Sequence, residues 1–371
     1  MKISLVTPDF SLKTFKRTKF LYDILKEKFD LEVISLYTKK EDTSLFEENF
    51  TDLKKIKFDL GNVIKELNKN IKGDVLYAVR SKPTSLGIAL NIKSYKKIPA
   101  IVDISMVESS QCFLYSKSTL KNILFSLTFI SNPNSYIYTL LGEKRIKYTD
   151  NITVSSKQLQ KIYGGTFIPS IANDIIFNKE EYKIKEIREY MKWDDNIIIL
   201  YSGNIEKDTD INTLLESINN LKNNKLKLVV LGNTSDYKKI IAKYSFVSFL
   251  GVQSELNTAK LISSCDYAIL PIKNILYSES YIPDEIYKYI SCNKKIISSK
   301  KFDEIDVLDN KIIFYDPENI ESLEKILKEL VSNNTKDEIY SKYYSYNETY
   351  TKLIDFFSNI NEKIINDGQS K

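Results

Sequence analysis

The chain has 371 residues, of which 43% are hydrophobic and 28% charged, a balance that predicts two folded domains and excludes a disordered or collagen-like protein. It contains no histidine, which excludes Ser–His and Cys–His catalytic pairs and histidine metal ligands. Its three cysteines, Cys112, Cys265 and Cys292, are far apart in sequence, which argues against a disulfide framework or a zinc cluster and favours free thiols in a reducing compartment.

The positive charge is concentrated in the first half of the chain. Through Asp174 there are 27 Lys and Arg against 18 Asp and Glu, and after it 27 against 31. A basic half predicts a domain that faces lipid headgroups, nucleic acid or a phosphate-bearing substrate, unless the surface is simply solvated with an incidental bias. Nucleic acid is the weakest candidate, because the basic residues are dispersed with no reading module around them, and no nucleic-acid partner is expected.

Short apolar runs alternate with longer helical patterns, which predicts βαβ units and mainly parallel sheets. In the first half the strands are predicted at ISLV, EVISL, DVLYAV, AIVDI and NITV, with the clearest helix at FKRTKFLYDILKEKF. The opening apolar run ends at Pro8 and Asp9, too short for a signal peptide or a membrane span, so a cytoplasmic location is expected. Residues 120–141 are apolar but are broken at Asn132, Pro133 and Asn134, which predicts two helices that pack in the core or touch a membrane.

The second half repeats this alternation. Strands are predicted at IIILYSG, LKLVVLG, FVSFLG, YAILP, KIISS and IIFYD, and helices at INTLLESINNL and ELNTAKLISSC, followed by tyrosine-rich helices over residues 336–365. The fold class predicted is α/β, with two doubly wound, Rossmann-like domains. Such sheets bind ligands beyond the carboxyl ends of their strands, so the main site is expected in a cleft between the domains.

Two segments of the second half contain candidate chemistry. Gly203 follows a strand and Lys207 lies four residues further on, which suits a phosphate, although such turns are also common in α/β proteins without a ligand. Pro283 suits the first position of a helix that carries Glu285 and Lys288, and this helix either faces a bound anion or is a surface helix held by weak ion pairs.

The order of these segments resembles the GT-B glycosyltransferases, in particular the large retaining family of group 1, or family-four-like, enzymes. The resemblance is carried by SGNIEKDTDINTLLES, LKLVVLGN, FVSFLGVQSELNTAKLISSCDYAILP and PDEIYKYISCNKKIISS in the second half, and more weakly by GDVLYAVRSKP, IPAIVDISMVES and LGEKRIKYTDNITVSSKQLQKIYGG in the first. It implies an acceptor domain over residues 1–174, a donor domain over 175–345 and a helix over 346–371 that crosses back to the first domain.

The resemblance also implies roles for individual residues. Lys207 is implied to hold the donor diphosphate and Asp103 to contact the sugar, and these two are the predicted catalytic residues. Further donor contacts are implied for Gly203, Asn204, Val252, Ser278, Glu279, Ser280, Tyr281, Glu285 and Lys288. No metal and no cofactor are implied, because a lysine and a helix N-terminus can neutralise the leaving group.

Several positions depart from the family pattern. Asn204 stands where arginine is usual, and the loop PDFSLKTFKR lacks the usual glycine pair. The family places two glutamates with seven residues between them on its ribose helix, whereas this chain has Ser280 and Lys288. A lysine cannot accept hydrogen bonds from ribose hydroxyls. Either Glu285 has taken that role, donor recognition has shifted, or activity has been lost.

The function predicted is therefore transfer of a sugar, with retention, from a UDP- or GDP-sugar to a glycan or lipid-linked acceptor in bacterial surface polysaccharide or glycoconjugate synthesis. The basic first domain is expected to dock on an anionic membrane at the inner face of the plasma membrane. The alternatives are a catalytically silent homologue that binds another transferase, and a regulator that binds a sugar or nucleotide without turnover.

Overall fold

The computed structural model describes residues 1–37, 43–58, 62–111, 135–178, 182–233, 237–274, 282–299, 312–332 and 345–369. The chain divides into two compact units. The first is built mainly from residues 1–170 and the second mainly from residues 171–346, while the chain from Asn347 onward belongs to the first unit. The predicted domain boundary at 174 lies four residues beyond this division.

The first unit contains a seven-stranded parallel sheet in the order β3-β2-β1-β4-β5-β6-β7. Its core strands are almost wholly buried, which explains their continuous apolar sequences, because a parallel sheet is covered on both faces. The strands are β1 (Lys2–Thr7), β2 (Asp30–Tyr37), β3 (Leu53–Lys57), β4 (Val75–Val79), β5 (Ala100–Ile104), β6 (Asn151–Val154) and β7 (Thr166–Phe167).

The helices of the first unit follow the strands as crossover connections. They are α1 (Leu12–Leu25), α2 (Ser44–Asn49), α3 (Val63–Asn70), α4 (Ile88–Lys96), α5 (Glu108–Gln111), α6 (Tyr136–Lys144) and α7 (Lys157–Tyr163). A π-helical turn over Pro83–Gly87 leads into α4. Most of the apolar stretch at residues 120–141 lies outside the described residues, and its described end begins α6.

The second unit contains a six-stranded parallel sheet in the order β10-β9-β8-β11-β12-β13. Its strands are β8 (Ile197–Ser202), β9 (Leu226–Leu231), β10 (Val247–Gly251), β11 (Tyr267–Leu270), β12 (Lys295–Ser298) and β13 (Ile312–Phe314). Alternate residues of β8 enter two separate cores, with Ile198 and Leu200 on one face and Ile199 and Tyr201 on the other.

The helices of the second unit cover both faces of this sheet. They are α8 (Ile184–Tyr190), α9 (Ile211–Leu221), α10 (Lys238–Ile241), α11 (Glu255–Ser264), α12 (Glu285–Ser291) and α13 (Ile320–Ser332). Helix α9 buries Ile211, Leu214, Leu215 and Ile218, the three-to-four spacing that predicts an amphipathic helix.

Helix α12 begins two residues after Pro283, so the prediction that proline occupies its first helical position is wrong. Its first residue, Glu285, is buried, which also excludes the interpretation of α12 as a surface helix.

The last helix, α14 (Tyr346–Gln369), packs on the first sheet. Phe357 is fully buried, and its ring centroid lies 5.0 Å from that of Tyr77 on β4 and 6.1 Å from that of Phe29. Among the described residues, no helix combines the length and the apolar character needed to cross a membrane. The two parallel, helix-covered sheets confirm the predicted α/β class with two Rossmann-like domains.

Candidate active site

Three glycines lie side by side at the carboxyl edge of the second sheet. Gly203 follows β8, Gly232 follows β9 and Gly251 ends β10, with φ angles of 150°, 120° and 70°. The N–H of Gly203 donates to the carbonyl of Leu231 at 2.9 Å, and the N–H of Gly232 donates to that of Gly251 at 2.8 Å. A Cβ on Gly232 would lie 2.2 Å from the carbonyl oxygen of Gly203. Only glycine allows these backbones to approach so closely, which leaves an open backbone surface at this edge.

The loop after Gly203 is tied to the strands on either side. Asn204 accepts a hydrogen bond from the N–H of Asn233 at 2.9 Å through its side-chain oxygen, beyond β9. On the other side the N–H of Lys273 donates to the carbonyl of Asp208 at 2.9 Å, beyond β11. Asn204 therefore links the loop to the end of β9.

Lys207 lies in this anchored loop, and its side chain is exposed. Its backbone carbonyl accepts a hydrogen bond from the ammonium of Lys273 at 3.0 Å. The fixed backbone brings the Lys207 side chain to the carboxyl edge of the sheet, where doubly wound folds bind ligands. In this position the Lys207 ammonium can bind an anion from solvent.

Glu285, the first residue of α12, faces the glycine turn. It is buried, and its Oε1 lies 3.5 Å from where a Cβ on Gly203 would be. Two buried tyrosines line the same turn: Tyr201 donates to the carbonyl of Asn204 at 2.8 Å, and the hydroxyl of Tyr289 accepts from the N–H of Ser202 at 2.8 Å. Burial and the nearby Glu285 carboxylate raise the pKa of Tyr201 and the pKa of Tyr289, so both hydroxyls stay protonated.

Lys288 lies one turn further along α12 and contacts a different group. Its ammonium lies 5.6 Å from the ring centroid of Phe177, a buried residue of the same unit. This is cation–π distance, so the Phe177 ring holds the ammonium of Lys288. Lys288 therefore faces Phe177, whereas Glu285 faces the glycine turn.

The remaining predicted donor contacts fall in two places. Val252 follows Gly251 at the edge and is 78% exposed. Ser278, Glu279, Ser280 and Tyr281 lie outside the described residues.

Asp103 lies in the first unit, on β5, and is fully buried. Its two oxygens accept hydrogen bonds from the guanidinium of Arg17 at 2.9 and 2.6 Å, and Oδ1 also accepts from the hydroxyl of Thr153 at 2.8 Å. Arg17 also donates to the hydroxyl of Ser170 at 2.9 Å. These contacts tie β5, β6 and α1 together. The predicted sugar contact of Asp103 remains a prediction.

Sequence reasoning missed two further ion pairs at the carboxyl edge of the first sheet. Lys82, after β4, lies 2.8 Å from Asp9, after β1. Arg80 is buried against Glu108 through two hydrogen bonds of 2.6 Å and has a φ of 67°, rare for a residue other than glycine. The sequence signal that could have indicated them is that Asp9, Arg80 and Lys82 come directly after predicted strands. Among the described residues, no three His, Cys, Asp or Glu side chains group so as to hold a metal ion.

The comparisons with known proteins agree with this architecture. Residues 183–347, slightly less than half of the chain, match the family described as Glycosyl transferases group 1. No curated protein matches the sequence.

Solved structures of low identity match over nearly the whole chain. HepE of Anabaena in complex with UDP-glucose is 11% identical, with a TM-score of 0.71 over 97% of this chain and 100% of that one. Sucrose-phosphate synthase of Thermosynechococcus elongatus is 12% identical, with a TM-score of 0.70 over 98% and 100%. The lipopolysaccharide outer core galactosyltransferase WaaB is 13% identical, with a TM-score of 0.58 over 99% and 100%. The chain therefore has the GT-B fold, and its residues 183–347 match the group 1 glycosyl transferases.

Proposed function

We propose that this protein is a glycosyltransferase that moves a sugar from a nucleotide diphosphate sugar to a glycan or lipid-linked acceptor. The match of residues 183–347 to the group 1 glycosyl transferases carries the proposal. The glycine row and Lys207 at the carboxyl edge of the same unit support it, since this edge suits a diphosphate. HepE structures with UDP-glucose and with UDP favour a UDP-sugar as donor, with a GDP-sugar as the alternative.

The residues of this unit suit the chemistry of such a transfer. The bond between the anomeric carbon and the donor phosphate breaks, and a bond from that carbon to the acceptor oxygen forms. Negative charge develops on the leaving diphosphate, which the Lys207 ammonium and nearby backbone N–H groups would stabilise. The leaving diphosphate can itself take the acceptor's proton, so the absence of histidine is no obstacle. This route gives retention and needs no metal ion, and both are part of the proposal.

Glu285 is the residue we assign to the ribose hydroxyls. Its carboxylate faces the glycine turn, whereas the ammonium at Lys288, where the family has a glutamate, lies against Phe177. A carboxylate accepts hydrogen bonds from two neighbouring hydroxyls, which an ammonium cannot do.

We place the activity in bacterial surface polysaccharide or glycoconjugate synthesis, in the cytoplasm at the inner face of the plasma membrane. The likeness to the lipopolysaccharide galactosyltransferase WaaB supports the pathway, and the basic first half of the chain supports the location.

A screen of UDP- and GDP-sugars tests the proposed function. A donor at about a hundred times its dissociation constant adds about 2.7 kcal/mol to the stability of the protein, which thermal unfolding detects. We expect at least one donor to stabilise the protein and to be hydrolysed slowly or transferred to an acceptor. If no nucleotide sugar stabilises the protein, the transferase proposal fails.

The second candidate is a catalytically silent homologue that binds another transferase. Lys288 favours it, because this position has lost the family's carboxylate. Stabilisation by a nucleotide sugar without release of the nucleoside diphosphate, even with membrane extracts as acceptor, would instead indicate a binding regulator. No stabilisation together with binding to a second transferase would favour the silent homologue.

A further inference from the structure

The two sheets end in four edge strands, and these edges differ in how they are protected. An edge strand presents unpaired backbone N–H and C=O groups, so proteins usually keep it short or place lysines on it. Among the strands of the described residues, β7 and β13 have two and three residues, and three of the five residues of β3 are lysines. Strand β10 has five residues, VSFLG, and carries no charge. Of these four edges, β10 lacks both kinds of protection.

The outer side of β10 is accessible. The side chain of Phe249 is 38% exposed, and its neighbour Ser248 is exposed as well. The N–H of Leu228 on β9 donates to the carbonyl of Phe246 at 3.0 Å, so the backbone groups of the even-numbered residues here point towards β9. Those of Phe249 therefore point away from the sheet. The register with β9 shifts only after Phe249, so this residue belongs to the regular part of the strand.

The sequence around β10 is self-complementary in charge. Residues 244–254 carry no charged side chain, and Phe249 is the middle one of these eleven residues. A cation, Lys243, precedes the segment and an anion, Glu255, follows it, and both are exposed. If two copies pair in antiparallel fashion, the Lys243 end of one meets the Glu255 end of the other, which brings opposite charges together at both ends. Parallel pairing would bring like charges together.

We propose that β10 pairs with β10 of a second copy of this chain, antiparallel and about a two-fold axis at Phe249. Two residues that face each other in a hydrogen-bonded antiparallel pair exchange both N–H···O=C bonds, so the outward groups of the two Phe249 residues satisfy each other. Their rings then lie opposite each other on one face of the joined sheet, as a cross-strand aromatic pair. The assembly closes at a dimer, because both copies use the same surface.

This pairing leaves the glycine row of each copy open. Antiparallel strands point in opposite directions, so the carboxyl edges of the two second sheets lie at opposite ends of the joined sheet. Neither copy covers the edge at which Gly203, Gly232 and Gly251 lie in the other. Dimer formation therefore does not depend on the proposed transfer activity.

Sedimentation velocity of the full-length protein over a range of concentrations tests this inference. We expect a monomer and a dimer in reversible equilibrium, with no larger species. Phe249→Lys places two ammonium groups opposite each other at the axis and should weaken association about tenfold or more, because like charges at an interface oppose pairing. Ile162→Lys on α7 is the matched control, since Ile162 is also apolar and 54% exposed but lies in the first unit. It should associate as the wild type does.

A charge swap tests the direction of pairing. Lys243→Glu and Glu255→Lys should each weaken association, since each puts like charges at both ends of an antiparallel pair. The double variant restores opposite charges at both ends and should associate as the wild type does. In a parallel pair, each single change would exchange one like-charge contact for another and leave association unchanged.

Oxidative cross-linking locates the axis. Phe249→Cys places two thiols opposite each other, within reach of a disulfide, whereas Ser245→Cys places them on opposite sides of the axis and too far apart. Ser245 is also exposed, so it provides the matched control. We expect a disulfide-linked dimer of Phe249→Cys and none of Ser245→Cys under mild oxidation. The wild type, oxidised in parallel, gives the background from its own three cysteines. Circular dichroism melts show whether each variant is folded.

Four results would overturn the inference: a wild type that stays monomeric up to high micromolar concentration, a folded Phe249→Lys variant that associates like the wild type, growth into species larger than a dimer, or equal cross-linking of Phe249→Cys and Ser245→Cys. If Phe249→Lys does not fold, the cross-linking decides. None of these measurements involves a nucleotide sugar. Failure of the dimer would leave the transferase proposal intact, and failure of donor binding would leave the dimer intact.

Discussion

Lys207 is an exposed residue in a loop that is anchored on both sides: Asn233, beyond β9, bonds to Asn204 and Ile205, and Lys273, beyond β11, bonds to the carbonyl of Lys207. Lys207→Ala therefore removes the charge without disturbing the loop. We expect nucleoside diphosphate binding to weaken by about 1.5–3 kcal/mol, the value of a hydrogen bond to a charged group. Turnover should fall further, as charge develops on the leaving group. Calorimetry and donor hydrolysis measure the two effects.

Lys225→Ala is the control for Lys207. Lys225 is also exposed, but it directly precedes β9 and so lies at the amino end of the strand, opposite Gly232. It should change neither measurement. Equal affinity and turnover in Lys207→Ala and wild type would remove Lys207 from the donor site.

Glu285 and Lys288 are expected to behave differently although they share α12. Glu285→Gln should weaken nucleotide binding by about 1.5–3 kcal/mol, because the carboxylate facing Gly203 would lose charged hydrogen bonds from ribose. Lys288→Met keeps an unbranched side chain against Phe177 and should affect binding much less. Calorimetry on both variants decides. A larger loss in Lys288→Met would show that the ammonium, not Glu285, contacts the donor.

Asp9 gives the first unit a predictable dependence on pH. Burial raises the pKa of Asp9, but the cations of Lys82 and Arg80 outweigh it and hold the pKa well below its ordinary value. A carboxyl group whose pKa is lowered by folding stabilises the folded state at pH values above its ordinary pKa. That stabilisation is lost as the pH falls towards the folded-state pKa. Asp9→Asn should therefore be less stable than wild type at pH 7, and the difference should shrink below about pH 4. Thermal unfolding of both proteins at pH 7 and below about pH 4 measures the difference in stability. A difference that stays constant with pH would contradict the prediction.

At the scale of the elements, the glycine row of the second sheet predicts two different mutational costs. Gly251→Ala meets no atom within 4 Å, so it should cost only the left-handed backbone penalty of about 1–2 kcal/mol. Gly232→Ala should cost more, because its Cβ would lie 2.2 Å from the carbonyl oxygen of Gly203 and must displace that turn. Thermal unfolding ranks the two variants, and Gly232→Ala should also weaken nucleotide binding. Equal stabilities of the two variants would show that the Gly203 turn can move aside at little cost.

The strands that sequence patterns missed are those with little apolar signal. On β3, only Ile56 is buried and three of the five residues are lysines, as suits an edge strand. Strand β7 has two residues, too few for any periodicity. The continuous apolar runs of the central strands were recognisable because both faces of those strands are buried.

The candidate site was predictable where one segment carries it and hidden where distant segments meet. Gly203 and Lys207 lie in one turn, so spacing alone indicated them. That Glu285 faces this turn required the packing of α12 against β8, which no local pattern contains. Asp9 and Lys82 are 73 residues apart and meet only because β1 and β4 are neighbours in the sheet.

At the scale of the whole molecule, the charge split between the two halves predicts salt-sensitive binding to anionic membranes. Helix α3 suits such a contact, since Lys65 and Lys69 are exposed at i, i+4 spacing and Ile64 beside them is exposed as well. Each lysine near an anionic surface contributes about 1 kcal/mol, and salt screens it. Flotation with phosphatidylserine-containing vesicles should therefore capture the protein at low salt and release it at high salt, while phosphatidylcholine vesicles should not capture it.

Two charge-reversal variants separate a specific surface from net charge. Lys65→Glu with Lys69→Glu on α3 should reduce capture several-fold, because about 2 kcal/mol of attraction is lost and repulsion is added. Lys325→Glu with Lys328→Glu on α13, in the second unit, changes the net charge by the same amount and should leave capture nearly unchanged. Equal losses in the two double variants would mean that net charge alone drives the binding. Equal capture by phosphatidylserine and phosphatidylcholine vesicles would refute electrostatic docking.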